Sequence, residues 1–246
     1  MRKWFAFFII NLKMILLEKV VYLWTIILPV VLAIGQSAFL KEVEPVFFLH
    51  WFWVYIMISS FLNGVGLQLA ELKEYGLLKT FTLVAGSKLY AIWGLIASQI
   101  VYSMISLSVF NIIVGSYYGV FSIKMILISY VGLLILSIPL SFLFLLIPLI
   151  PAKNSSMNTL LNLIMYPLFV VSISDVILKF GLSYVQLLNP FKLASEVMVL
   201  ISSFFSLEIR VQQYTLLEMM LMVMLYLIIG IICIKKINLL SVIQRQ

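Results

Sequence analysis

From Val20 to Leu40 the chain runs for 21 residues without one charged side chain. About 20 mostly apolar residues are what a helix needs to cross roughly 30 Å of hydrocarbon. In lipid the backbone must satisfy its own hydrogen bonds, so a lone apolar run of this length is constrained to be helical. Pro29 is tolerable inside it, because neighbouring helices take up a freed carbonyl. Five further runs follow, at Val46–Ala70, Leu89–Val114, Lys124–Ile150, Met157–Ser174 and Tyr214–Ile234. The expectation is an all-α integral membrane protein with six transmembrane helices in one domain spanning 1–246. Composition agrees: 64% of residues are hydrophobic and 10% charged, where a soluble domain is about half apolar and a quarter charged.

The connecting segments carry the remaining information. Residues 1–19 hold Arg2, Lys3, Lys13, Glu18 and Lys19 among aromatic and aliphatic neighbours. They are too short and too charged to span, and fit a helix lying in the membrane interface. A cytosolic extension of the first span is the alternative. Lys13, Glu18 and Lys19 interrupt the run and no small-residue cleavage site follows, so a cleaved leader is not expected. Residues 175–212 place Asp175, Lys179, Lys192, Glu196, Glu208 and Arg210 among apolar pieces too short to cross.

Orientation follows from the basic residues. With a cytosolic N-terminus, eleven of the sixteen Lys and Arg residues fall on the cytosolic side. Lys41, Lys124, Lys179, Lys192 and Arg210 make five on the other. The excess predicts both termini on the cytoplasmic side of the membrane. The same placement explains the formal charge of +7, since basic residues at span ends meet lipid headgroups, and nucleic acid is not an expected partner.

Catalytic constellations are missing from the pattern. His50 and Cys233 are each the only residue of their kind and lie in different runs, which provides neither a Cys–His pair nor a metal cluster. His50, beside Trp51, reads as an interfacial residue, and Cys233 as a small buried hydrophobe. Gly86-Ser87-Lys88 lacks the preceding glycine frame of a phosphate loop. No enzymatic activity and no cofactor is expected on this chain. Glu218 and Asp175 sit at span ends, where snorkelling accounts for them. Asn63, Gln68, Gln99, Asn111, Asn158 and Asn162 can join helices or line a path. Met219, Met220, Met222 and Met224 form a soft cluster suited to packing or to varied apolar cargo.

The most informative stretch is Glu71 to Gly94. Leu72, Tyr75, Leu78 and Phe81 recur at helical spacing, Glu71, Lys73, Glu74 and Lys79 stay polar, and Gly86 ends the pattern. This is a short amphipathic helix, which needs a surface to lie on. The stretch resembles the ABC-2 type permease family, the membrane subunits of ATP-binding-cassette exporters. That family carries Glu-x-x-Glu-x-Gly-Thr-Leu after its second span, followed about ten residues on by Ser-Arg or Ser-Lys. Here Glu71, Glu74, Gly76 and Leu78 stand in that frame, with Ser87-Lys88 after it. Leu77 replaces the common Thr, and Ala85-Gly86 stands where Pro is frequent. Leu188-Asn189-Pro190-Phe191 matches the family's Asn-Pro pattern before the last span.

The resemblance implies a coupling loop at 71–88 that docks on a separate cytosolic ATPase subunit, through Glu71, Glu74, Tyr75, Gly76, Leu78, Lys79 and Lys88. It implies ATP and magnesium on that partner only, and a second permease subunit, identical or not. It also implies an outer re-entrant segment at 175–212, gated near Asp175, Asn189, Pro190 and Glu218. The expected cargo is hydrophobic or amphipathic, with short peptides or toxins such as phenol-soluble-modulin-like ones ahead of lipophilic drugs. A secondary carrier, which would show buried charges and inverted repeats, is the rival from another class. A vitamin-binding importer subunit would lack the coupling helix.

Overall fold

Small polar residues stand just before several apolar runs, and they set where the helices begin. The computed structural model describes residues 2–18, 22–35, 45–173, 186–205 and 213–238, and all regular structure among them is helical. The Ser87 hydroxyl accepts from the Leu89 amide and the Ser122 hydroxyl from that of Met125. Asn189 Oδ1 accepts from the Phe191 amide. Thr215 and Glu218 form a reciprocal capping box. Each cap satisfies an amide that would otherwise stay orphaned at a helix start.

The elements in order are α1 (Arg2–Leu17), α2 (Leu28–Gly35), α3 (Pro45–Phe61), α4 (Gln68–Glu74), α5 (Leu77–Ala85), α6 (Lys88–Tyr117), α7 (Ile123–Phe144), α8 (Asn154–Ile173), α9 (Pro190–Phe204) and α10 (Leu216–Lys236). A π-helical turn at Leu23–Ile27 leads into α2, and another at Leu62–Leu67 joins α3 to α4 without ending the helix. Among the described residues five helices are long and apolar enough to cross a membrane: Phe48–Glu74, Lys88–Tyr117, Ile123–Leu149, Asn154–Ile173 and Leu216–Lys236. They match the second to sixth apolar runs to within a few residues. The described part of the first run is shorter than a crossing, so its span belongs with the proposals below.

The second span is the axis of the bundle, with 89% of its apolar window buried. It packs on α6, α7, α9 and the π turn before α2, while α10 lies on the far side of α7. Trp53 Nε1 donates to Asn111 Oδ1 at 2.6 Å, and Asn111 Nδ2 donates to the Ser129 hydroxyl at 3.1 Å. One amide thus ties α3, α6 and α7 together, the helix-joining role open to a buried Asn. By contrast only 22% of the windows of α8 and α10 is buried. Wide apolar faces of this kind need lipid or another chain against them.

Helix α1 lays Phe7, Asn11 and Ile15 against α6 and turns Phe5, Ile9, Ile10 and Met14 outward. Its exposed face is apolar, as expected of a helix embedded in an interface.

Three readings from the sequence change. His50 is fully buried beside Trp51, ring centroids 5.0 Å apart, because aromatic neighbours on α3 carry it into the core. Lys192 and Glu196 are also fully buried, since α9 is packed between α3, α7, α8 and α10. Tyr75 leaves the apolar stripe of the loop: a turn at Gly76 breaks the predicted single helix in two, and Tyr75 is 68% exposed. Cys233 is buried, as read from the sequence.

Candidate functional site

Gly76 adopts φ 72° and Gly86 φ 86°, and the left-handed region is where glycine costs nothing and other residues are strained. These two positions set off α5 as a separate nine-residue helix. Leu78 and Ala85 are buried beneath it, and Phe81 meets Phe7 of α1 at 5.0 Å between ring centroids. Facing away from the bundle are Tyr75, Leu77, Lys79, Leu83 and Val84, the last two 74% and 73% exposed. Leu83 and Val84 were missing from the sequence reading of the loop. Their signal was present, since they continue the apolar spacing on the side opposite Leu78 and Ala85.

The charged residues flanking α5 mostly turn inward. Lys73 Nζ donates to the Pro148 carbonyl, in the turn that closes α7. Glu74 Oε2 accepts from the Asn154 amide at 2.8 Å, placing a carboxylate on the first turn of α8, where the helix dipole favours negative charge. Lys88 Nζ donates to the Ile237 carbonyl at 2.8 Å, just past the C-terminus of α10. Of the residues assigned to coupling, Tyr75 and Lys79 therefore lie on the exposed surface. Glu74 binds the start of α8 to the loop and Lys88 the end of α10, Leu78 is core, and Gly76 makes the turn.

Glu71 faces something else. With Glu18 it lines a pocket of about 40 Å³, together with Asn63, Gln68, Gln99, Asn154 and Asn158. Gln99 is fully buried, and among the described residues neither of its amide atoms has a hydrogen-bond partner, nor do Gln68 Oε1 and Asn154 Oδ1. The space exists because position 64 is glycine, where a Cβ would sit 1.6 Å from Gln99 Nε2. The π turn over Leu62–Leu67 surrounds that glycine, and single π turns are frequent at functional sites. Glu18 is exposed on one side and walled on the other, and that partial burial pushes its carboxyl above the usual carboxylate range.

Asn158 also lines a larger cavity, of about 790 Å³, between α2, α3 and α8. Asn158, Asn162 and Tyr166 follow one another at four-residue spacing along α8, which puts them on one face. Leu28, Leu32, Leu163 and Pro167 make the rest mainly apolar. Volume and lining lie in the range of small-molecule sites.

At the other end of the bundle, Asn189 caps α9 and its Nδ2 donates to the Leu168 carbonyl of α8 at 2.8 Å. Pro190 takes the first helical position, which suits its fixed φ. Within α9 the Lys192 ammonium lies 3.6 Å from the Glu196 carboxylate. Lys192 also donates to Gln213 Oε1 at 2.6 Å, and the Gln213 amide donates to Glu196 Oε2 at 3.2 Å. Glu218 belongs to the capping box of α10. Asp175 lies outside the described residues. Among those residues no group of three or more His, Cys, Asp or Glu side chains could hold a metal ion.

The chain matches no protein-family model, and comparison with curated proteins and with solved structures returns no match for it.

Proposed function

We propose that this chain is the permease subunit of an ATP-driven exporter of the ABC-2 type. It works beside a separate cytosolic ATPase and a second permease subunit, and moves hydrophobic or amphipathic cargo, short peptides foremost, out of a bacterial cell. The observation that carries the reading is α5, a short rigid helix presenting Leu83, Val84, Tyr75 and Lys79 away from the bundle. An exposed apolar tip on a fixed helix is a docking element, because it loses nothing in ordering when a groove covers it.

The way α5 is anchored supports a mechanical role. Lys73, Glu74 and Lys88 connect its two ends to the end of α7, the start of α8 and the end of α10. A push on α5 from a closing ATPase pair would reach three helix ends through hydrogen bonds, with no floppy linker between. Closure would then bias the permease between inward- and outward-facing states, given nucleotide and cargo that bind the two states unequally. ATP and magnesium belong to the partner.

In this reading there are six spans, the first being Val20–Leu40, and both termini are cytosolic. The cavity between α2, α3 and α8 holds the cargo, and a second permease subunit seats over the sparsely buried face of α8. The described part of 175–212, with its buried Lys192–Glu196 pair, closes the outer end.

The test is co-purification from membranes with the ATPase encoded beside it, with ATP hydrolysis measured in nanodiscs. Leu83→Asp/Val84→Asp should abolish co-purification and cargo-stimulated hydrolysis, while the melting temperature of the isolated permease stays unchanged. Retention of both activities in that variant would sink the proposal.

A further inference from the structure

The small polar pocket and the large apolar cavity share the Asn158 side chain as a wall, and they differ in chemistry. The small one is lined by the Glu18 and Glu71 side chains, and neither carboxylate has a hydrogen-bond or ion-pair partner among the described residues. Glu74 adds to the repulsion that Glu18 exerts on Glu71. Lys73, two residues from Glu71, donates to the Pro148 carbonyl. Beside the carboxylates stand the unpartnered oxygens Gln68 Oε1, Gln99 Oε1 and Asn154 Oδ1, with Gln99 wholly buried. A desolvated amide and two like charges with no counter-ion among the described residues are costly, and a cation bearing N–H donors relieves both.

We infer that this pocket holds the ammonium group of a cationic amphiphile whose apolar body fills the adjoining cavity. Three N–H donors of an ammonium match carboxylate and amide oxygens. About 40 Å³ suits one small headgroup, a water occupying about 30 Å³ of liquid. About 790 Å³ of mainly apolar cavity takes a drug-sized chain or a few residues of a peptide. A bare metal ion would use the first space and leave the second unexplained. As a statement about cargo this rests on the exporter reading, while binding itself needs no ATPase. The cargo class becomes amines on an apolar body: lysine-bearing or N-terminally free amphipathic peptides, or cationic lipophilic drugs.

The experiment uses the full chain in phosphatidylcholine nanodiscs, with empty nanodiscs subtracted and tritiated dodecylamine and dodecanol as paired probes. Dodecylamine should bind saturably and at least about tenfold more tightly than dodecanol, the scale of one hydrogen bond to a charged group. Glu18→Gln/Glu71→Gln should remove that preference and leave dodecanol retention unchanged, each single variant giving part of the loss, and Lys79→Gln should bind as wild type. Equal retention of amine and alcohol overturns the inference, as does an undiminished preference in the double variant. So does displacement of the amine by sodium or potassium chloride but not by choline chloride at equal ionic strength, which would mark a metal site. Loss of ATPase co-purification with the amine preference intact would count against the exporter reading alone.

Discussion

Single side chains decide how the loop between the second and third spans is held. Gly76 at φ 72° is the turn that frees α5 from the second span, and an L-residue in that region costs roughly 1–2 kcal/mol. Gly76→Ala should therefore lower stability in detergent by about that amount, read from thermal unfolding. Glu74 has a different role, accepting the Asn154 amide at the start of α8. Glu74→Ala should cost about 1 kcal/mol, typical of a lost N-terminal cap. Glu74→Gln should cost less, since an amide oxygen still accepts and only the charge–dipole attraction goes. The buried pair in α9 behaves differently again. Lys192→Met alone removes the ammonium 3.6 Å from the fully buried Glu196 carboxylate, a change worth about 3–5 kcal/mol. Lys192→Met/Glu196→Met should recover much of that loss, and a double-mutant cycle on melting temperatures checks it. Strictly additive losses would show that the pair does not interact.

At the scale of elements, the spans were legible because length and apolarity are local properties. The caps at Ser87, Ser122 and Thr215 add boundary marks that sequence also carries. The π turn over Leu62–Leu67 was not legible, for its glycine makes room for Gln99 of another helix. Nor was the burial of Lys192 and Glu196, because a charge reads as exposed until its partners are known. The candidate site was read half correctly for the same reason. Residues 71–88 were recognised as an amphipathic element. The inward engagement of Lys73, Glu74 and Lys88 depends on Pro148, Asn154 and Ile237, far away in the chain. Helix α5 itself stays in place through the Phe81–Phe7 contact. Phe81→Ala removes an aromatic pair worth about 0.5–1.5 kcal/mol beyond its buried area. It should loosen α5 locally without unfolding the bundle. Trypsin cleavage after the exposed Lys79 should quicken several-fold, with the melting temperature of the spans little changed.

At the scale of the whole molecule, the side of the membrane on which each end lies is the claim everything else depends on. The eleven-to-five distribution of Lys and Arg predicts α5 on the cytosolic side, where the proposed ATPase would be. The long helix α6 carries the chain from that end to the other. Its 30 residues span about 45 Å at 1.5 Å per residue, more than the hydrocarbon thickness, so a crossing α6 puts Lys79 and Tyr117 on opposite faces. Lys153 precedes α8, whose first amide binds Glu74, and so shares the side of Lys79. Cys233 is the only native thiol and is buried, which makes Cys233→Ala a clean background. In that background a membrane-impermeant maleimide on intact cells should label Tyr117→Cys but neither Lys79→Cys nor Lys153→Cys. Inverted vesicles should give the reverse. Labelling of Lys79→Cys from outside would put the loop where no ATPase can meet it, and the exporter reading would fail with the bundle still correct. Labelling of Lys79→Cys and Tyr117→Cys from one side would instead show that α6 does not cross, and the architecture itself would have to be redrawn.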